Sequence, residues 1–296
     1  MSKISPFLWF NDQAEAAANF YVSLFKNSKI GFVARFQGKE VEKVSGRPDG
    51  SVMTVMFQIC GMNFTALNGG PIFTINPSIS FAVNCENEAE IDGLWAKLME
   101  GGTALMPLQE YPFSKKFGWV QDKFGVSWQL NLTETEQKIT PYLAFVGGNY
   151  GRAEEAMKLY CGIFKNSKIG DIYRAGPGEP EPEGTISHAA FQLDGQDFMI
   201  LESKMDHKFT FSEAISFVVD CADQNEVDYF WEKLGEGGDP AAQQCGWLKD
   251  KFGVSWQIVP SVMGKLMGGP NGEKVTNAML KMKKLDIQAL EDAAKS

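Results

Sequence analysis

The chain has two histidines, His188 and His207, so acid–base chemistry near neutral pH has few places to sit. His188 lies in the alternating run Ile186–Leu193, in which Ile186, His188, Ala190 and Gln192 share one face of a strand. Glu202 belongs to the next strand. On a pocket face, His188 would serve as a general base with Glu202 orienting it. The competing reading is a hydrogen-bonded strand histidine that lines a pocket without taking a proton. The matching positions earlier in the chain are Thr54, Gln58 and Asn68, so chemistry, if there is any, is expected at His188. His207, in Met205–Lys208, reads as an exposed loop residue.

A second group of residues could hold a ligand without reacting with it. Gln129 and Gln257, with Ser127 and Ser255, alternate with Trp128 and Trp256. They would put an amide and a hydroxyl on one strand face, suited to fixing a polar group, and the tryptophans in the core behind it. Phe7, Trp9 and Tyr142 would supply apolar or stacking walls. Thr54, Gln58 and Gln192 complete the expected lining.

The elements that must position these residues are written twice. WVQDKFGVSWQL at Trp119–Leu130 returns as WLKDKFGVSWQI at Trp247–Ile258, and FKNSKIG at Phe25–Gly31 returns at Phe164–Gly170. Two passages repeated in the same order are a tandem duplication. Each repeat reads as strand, helix and strands, twice over. ISPFLWF and ITPYLAF are first strands; AEAAANFYVSLF and AEEAMKLYCGIF are amphipathic helices. A second helix in each copy ends at Gly101-Gly102 or Gly237-Gly238. The expected fold class is therefore α+β, with paired βαβββ modules, four modules in two repeats. Residues 1–135 form the first domain, 138–262 the second, and 263–296 a helical tail. Spacing between matching residues falls from 136 at Cys85/Cys221 to 128 at Trp119/Trp247, a change assigned to a loop. The run GPGEPEPEG at 176–184 reads as a mobile acidic loop.

Composition removes several classes of function. The 296 residues carry a net charge of −9, with no basic stripe to neutralise phosphates, so no nucleic-acid partner is expected. No apolar run is long enough to span a bilayer and the start lacks a secretory pattern, which points to the cytoplasm and to no membrane partner. The five cysteines show no CxxC spacing. Cys85 and Cys221 read as buried strand-end residues. The tail helix at Val275–Lys284 would turn Val275, Ala278, Met279 and Met282 to one side, with Asp286 capping a last turn that contains Leu290. The lysines of KMKK read as a solvated face, with docking of a partner on the tail as the alternative.

Taken together, ITPYLAF, AEEAMKLYCGIF, FKNSKI, ISHAAFQLDGQ, ISFVVDC and GWLKDKFGVSWQIVP resemble the PhnB-like family, also labelled 3-demethylubiquinone-9 3-methyltransferase, of the vicinal-oxygen-chelate (glyoxalase/bleomycin-resistance) superfamily. The resemblance covers residues 3–135 and 138–262. It implies curved sheets forming a cup, helices outside, and a small-molecule site within. Superfamily enzymes hold a divalent metal there with His and Glu. The resemblance would place those ligands near Ser5 and Thr140, near Ser78 or Ser80 and Ser212 or Ala214, on Gln129 and Gln257, and on Asn68 and Glu202. One carboxylate among amides and hydroxyls is a poor zinc or iron site, so no metal and no other cofactor are expected.

The function expected from these residues is small-molecule binding. The alternative is an enzyme, either a lyase or isomerase or the family-labelled methyltransferase, with His188 as base. The label has little support in the sequence, which shows no strand–GxGxG–helix passage of the doubly wound type. Duplication would build a pseudo-dimer inside one chain, with a further homodimer optional.

Overall fold

A computed structural model describes residues 2–36 and 46–296. It is a mixed α+β fold with two sheets. The eight-stranded sheet contains β5 (Ile79–Cys85), β6 (Thr103–Tyr111), β7 (Ser114–Gln121), β8 (Ser127–Leu132), β9 (Lys138–Val146), β10 (Lys168–Arg174), β11 (Ile186–Leu193) and β12 (Gln196–Ser203). Their order is β10-β11-β12-β9-β5-β8-β7-β6. The seven-stranded sheet, in the order β14-β15-β13-β1-β4-β3-β2, uses β1 (Ile4–Phe10), β2 (Lys29–Arg35), β3 (Val52–Ile59), β4 (Met62–Asn68), β13 (Ile215–Cys221), β14 (Trp247–Lys249) and β15 (Ser255–Pro260).

Each sheet draws one module from each repeat. In the eight-stranded sheet the second module of the first repeat meets the first module of the second repeat. The seam is β5 against β9, antiparallel, with Ser80 beside Tyr142 and Ala82 beside Thr140. Parallel β8 and β12 flank it on either side.

By compactness the chain divides differently from its repeats. One unit comprises the described parts of residues 1–7, 35–51 and 215–296; the other comprises residues 8–34 and 52–214. In the larger unit, α1 (Ala14–Leu24) packs on β3, and α2 (Glu88–Leu98) on β5, β7 and β8. An aromatic chain runs through its core. Phe57 meets Phe64 at 5.3 Å, Phe64 meets Phe81 at 5.2 Å, Phe81 meets Trp128 at 5.4 Å, and Trp128 meets Tyr21 at 5.1 Å. α3 (Ala153–Ile163) covers β10, β11 and β12.

The repeated passage owes its residues to one buried carboxylate. Asp122 Oδ1 accepts from the amides of Phe124 and Val126 at 2.8 and 3.0 Å. Its Oδ2 accepts from Tyr21 Oη at 2.9 Å and Trp128 Nε1 at 2.8 Å. Gly125, at φ +88°, closes the turn where a Cβ would be strained. Burial raises the Asp122 carboxyl above its usual range, and the four donors oppose that rise. The residues that look most chemical in the repeat therefore hold the turn together.

The smaller unit departs from the expected four complete modules. Between α4 (Gln224–Gly235) and β14 there is only a short 3-10 turn at Pro240–Ala242, so the eight residues lost from the second repeat are those of a strand like β6. The tail occupies the freed edge. It forms α5 (Met263–Met267), α6 (Gly272–Met279) and α7 (Ile287–Lys295), and the carbonyls of Met282 and Lys283 accept from Cys245 N and Gly246 N at 2.8 and 2.7 Å. Met263, Val275, Leu285 and Leu290 form its core, with Met279 and Met282 packed against them. Asp286 caps α7, accepting from Ala289 N at 2.9 Å. Val275, Met279 and Met282 thus pack inside the unit. Among the described residues, no helix is long and apolar enough to cross a membrane.

Candidate functional site

The helices cover one face of the eight-stranded sheet and leave the other free. On the free face, cross-strand register gathers Ser80 on β5, Gln129 on β8, Tyr142 on β9 and Met199 on β12. Ser80 and Met199 are both partners of Tyr142, and Gln129 and Thr140 are both partners of Ala82. Gln129 Nε2 donates to Ser80 Oγ at 2.8 Å. Ser80, Gln129, Thr140 and Tyr142 are all buried, between 2% and 9% exposed. Beside them Trp119 Nε1 donates to Ser127 Oγ at 2.6 Å. Burial pushes the Tyr142 phenol well above its usual range, so it stays a neutral donor. This floor is polar, uncharged and shielded from water.

His188 stands on the same face, on the wall at β11. Its ring stacks on Tyr173 of β10, with centroids 4.4 Å apart and planes 21° from parallel. Burial lowers its pKa from the ordinary histidine value, which favours neutral imidazole at neutral pH. Tyr173 escaped the sequence reading. Its counterpart through the repeated FKNSKIG is Ala34, so the difference between copies was the available signal.

Glu202 is not beside His188. The two-residue turn at Asp194-Gly195 pairs Leu193 with Gln196 and Ala190 with Met199, which carries His188 to the face of Leu201 and leaves Glu202 on the helix side. A one-residue step in a strand reverses the face. There, 6% exposed, Glu202 Oε1 accepts from Ala153 N at the start of α3 (2.9 Å) and Oε2 from Ile186 N (3.0 Å). The expected dyad is replaced by a helix cap. Asn68 has the same post in the first repeat, with Oδ1 accepting from Ala14 N at 2.8 Å and Nδ2 donating to Val52 O at 3.0 Å.

The other expected lining residues are scattered. Gln192 Nε2 donates to Asp197 Oδ1 at 2.9 Å, and Lys138 also bonds to Asp197. Gln58 Nε2 bonds across its hairpin to Gly61 O and Asn63 Oδ1, both at 3.2 Å, and Thr54 faces Leu67 across β3 and β4. Trp9 Nε1 donates to Gly70 O at 2.8 Å. In the smaller unit Phe7 meets Trp247 edge-on at 5.5 Å, and Gln257 Nε2 donates to Ser216 Oγ at 3.0 Å, repeating the Gln129–Ser80 arrangement. Ser255 Oγ is buried without a partner, unlike Ser127. His207 is half-buried, with a buried and unpartnered Nε2, where exposure was expected, because it packs on Phe209 at 4.9 Å.

The metal implied by the resemblance does not fit this face. Its donors are hydroxyls and an amide, without imidazole or carboxylate at the floor, a poor set for zinc or iron. Among the described residues no group of three or more His, Cys, Asp or Glu could hold a metal ion. Cys85 and Cys221 are buried, and burial pushes both thiols up to about 12, far from a reactive thiolate.

Comparison with known proteins places the architecture. Protein YjdN of Escherichia coli K12 is 27% identical over 137 residues, 40% of this chain and 92% of its own length. The structure of a PhnB protein from Bacillus cereus shares 43% identity, covering 44% of this chain and 98% of that one, with a TM-score of 0.40. A glyoxalase I mutant from Zea mays covers 88% of this chain and 95% of its own at 12% identity and a TM-score of 0.53, a likeness of fold. The sequence profile described as 3-demethylubiquinone-9 3-methyltransferase matches twice, over residues 2–131 and 137–259. With both repeats matched, the chain belongs to this 3-demethylubiquinone-9 3-methyltransferase family, as two domains in tandem, and it shares the fold of glyoxalase I.

Proposed function

We propose that the chain binds a small organic molecule on the helix-free face of the eight-stranded sheet. The observation that carries this reading is the buried, uncharged hydrogen-bonding floor of Ser80, Gln129, Thr140 and Tyr142. Buried polar groups are expensive unless paired, and a sheet needs none of these four to hold its backbone ladder. Grouped on one face, they suit a ligand with a carbonyl, amide or hydroxyl, which Gln129 and Tyr142 would orient. The stacked Tyr173–His188 pair offers a flat wall above them.

The enzyme reading has less support. His188 lacks the carboxylate that would hold its tautomer, and its neighbour Tyr173 is a stacking partner. The family's methyltransferase description is not carried over as an activity.

The test is a panel of metabolites followed by thermal shift and tryptophan fluorescence. For any compound that binds, Gln129→Leu should weaken affinity about tenfold or more, the loss of one buried hydrogen bond with its partner left stranded. His188→Ala should change it only a few fold. Unchanged binding in Gln129→Leu would remove the floor from the site, and turnover abolished by His188→Ala would restore the enzyme reading.

A further inference from the structure

The two repeats have diverged at one corner, where the first strand of a module passes the end of its last. In the first repeat this corner is plugged. Trp9 of β1 donates from Nε1 to Gly70 O at 2.8 Å and meets Phe73 edge-on at 5.0 Å. A Cβ on Gly69 would lie 2.2 Å from the indole, so only glycine tolerates the ring. In the second repeat the matching residues are Ala144, Ser203 and Lys204. A methyl replaces the indole, and a hydroxyl appears where the ring lay against glycine.

A carboxylate sits at this second corner. Glu181, from the acidic loop between β10 and β11, accepts from Ser203 Oγ at 2.7 Å through Oε1. Both of its oxygens accept from Lys204 N, at 3.2 and 3.0 Å. Ser203 is 8% exposed and lies on the same face of β12 as Met199 and Leu201. The loop expected to be mobile is therefore pinned by one of its acids, while Glu179 and Glu183 point to solvent. Hydrogen bonds to an ionised acceptor are the strong ones, and the donors here are fixed by the end of a strand.

The geometry points to an anion seat at Ser203 and Lys204, in which Glu181 is an internal occupant that the carboxylate or phosphate end of a ligand displaces. This rests on the proposed binding face for the rest of the ligand. It names the ligand's class: a compact organic anion whose uncharged portion reaches the Gln129 floor. A side chain tethered to its site competes at a high effective concentration, so the seat should look weak until Glu181 is removed.

The experiment follows the Lys204 backbone amide by NMR in the full chain while sodium acetate or inorganic phosphate is added, with chloride at equal ionic strength as control. In Glu181→Ala, at least one anion should move this amide with an apparent Kd about tenfold or more below that of the unaltered chain. Preference for acetate or for phosphate then separates a carboxylate from a phosphoryl end. Ser203→Ala added to Glu181→Ala should weaken the response. The triple change Ala144→Trp, Ser203→Gly and Lys204→Gly, which transplants the first repeat's plug, should abolish anion protection of the fold against heat. A Lys204 amide that ignores both anions in Glu181→Ala, or responds equally with and without Glu181, overturns the seat. A neutral compound whose affinity depends on Gln129 would leave the binding face standing in that event. An anion response without any such compound would fault the face and keep the seat.

Discussion

Asp122 and Asp250 close the same turn in the two repeats, yet the strands they lead from end in different company. Asp250 Oδ1 accepts from Phe252 N and Val254 N at 2.9 and 3.0 Å and Oδ2 from Trp256 Nε1 at 2.9 Å, the same bonds that Asp122 takes from Phe124, Val126 and Trp128. The outer edge of β7, however, is paired by β6, whereas Cys245 and Gly246, just ahead of β14, donate to two carbonyls of the C-terminal tail. The turn cannot vary because its donors are buried and each needs its acceptor. The edge can vary because many kinds of backbone satisfy an exposed ladder. A duplicated chain keeps what is buried and hydrogen-bonded, and re-invents what merely has to be covered.

The comparison can be broken first at the turn. Asp122→Ala strands four donors, two of them from Tyr21 and Trp128, and should cost about 3–5 kcal/mol, read as a large fall in the urea midpoint. A loss below about 1 kcal/mol would show that the turn is held by packing alone. Next comes the edge. Leu290→Ala, in the tail core, should cost about 2–4 kcal/mol, and the loss should appear as early exchange of the Cys245 and Gly246 amides. Protection of those amides unchanged in that variant would mean the tail is not what covers the segment leading into β14.

Two finer contrasts concern the caps and the serines. Asn68 gives a proton to the Val52 carbonyl while Glu202 takes one from the Ile186 amide, so the choice of amide or carboxylate follows the backbone group each must meet. Glu202→Gln and Asn68→Asp should each cost about 1–2 kcal/mol by setting like against like, and calorimetry of the pair would expose any asymmetry. Ser127→Ala removes the acceptor of Trp119 and should cost about 1 kcal/mol, whereas Ser255→Ala deletes an unpaired hydroxyl and should be neutral or stabilising. Equal losses at the two serines would contradict this.

The smallest effect is set by pH. Because the folded pKa of His188 lies below its unfolded value near 6.5, the native state binds the proton less readily. Stability should therefore be full above pH 6.5 and fall slightly as pH drops through that value toward the folded pKa. The ring is only half-buried, so the slope is small. His188→Ala should flatten it in a series of melting temperatures, and an unaltered slope would assign it to other groups.

Much of this was legible from residues. Repeated passages exposed the duplication, and alternation put Gln129 and Gln257 opposite their tryptophans. The His188–Glu202 pairing failed over a single step of register. The two-residue Asp194-Gly195 loop would have fixed that register, since a turn with φ of +47° and +78° makes Leu193 face Gln196. Counting outward from it puts His188 opposite Leu201. The role of Asp122 was hidden for another reason, because its Tyr21 partner lies on a helix far off in sequence. The replacement of a strand by the tail was equally silent, since backbone carbonyls leave no mark on residue type.

The seam between β5 and β9 carries a consequence for how such a chain can change. Neither repeat owns the helix-free face: Ser80 and Gln129 come from one, Tyr142, Met199 and His188 from the other. A substitution in either copy is therefore judged by neighbours inherited through the other, and the two halves must drift as partners. Such shared custody lets one corner stay shut behind Trp9 while its twin, with Ala144, takes in the carboxylate of Glu181.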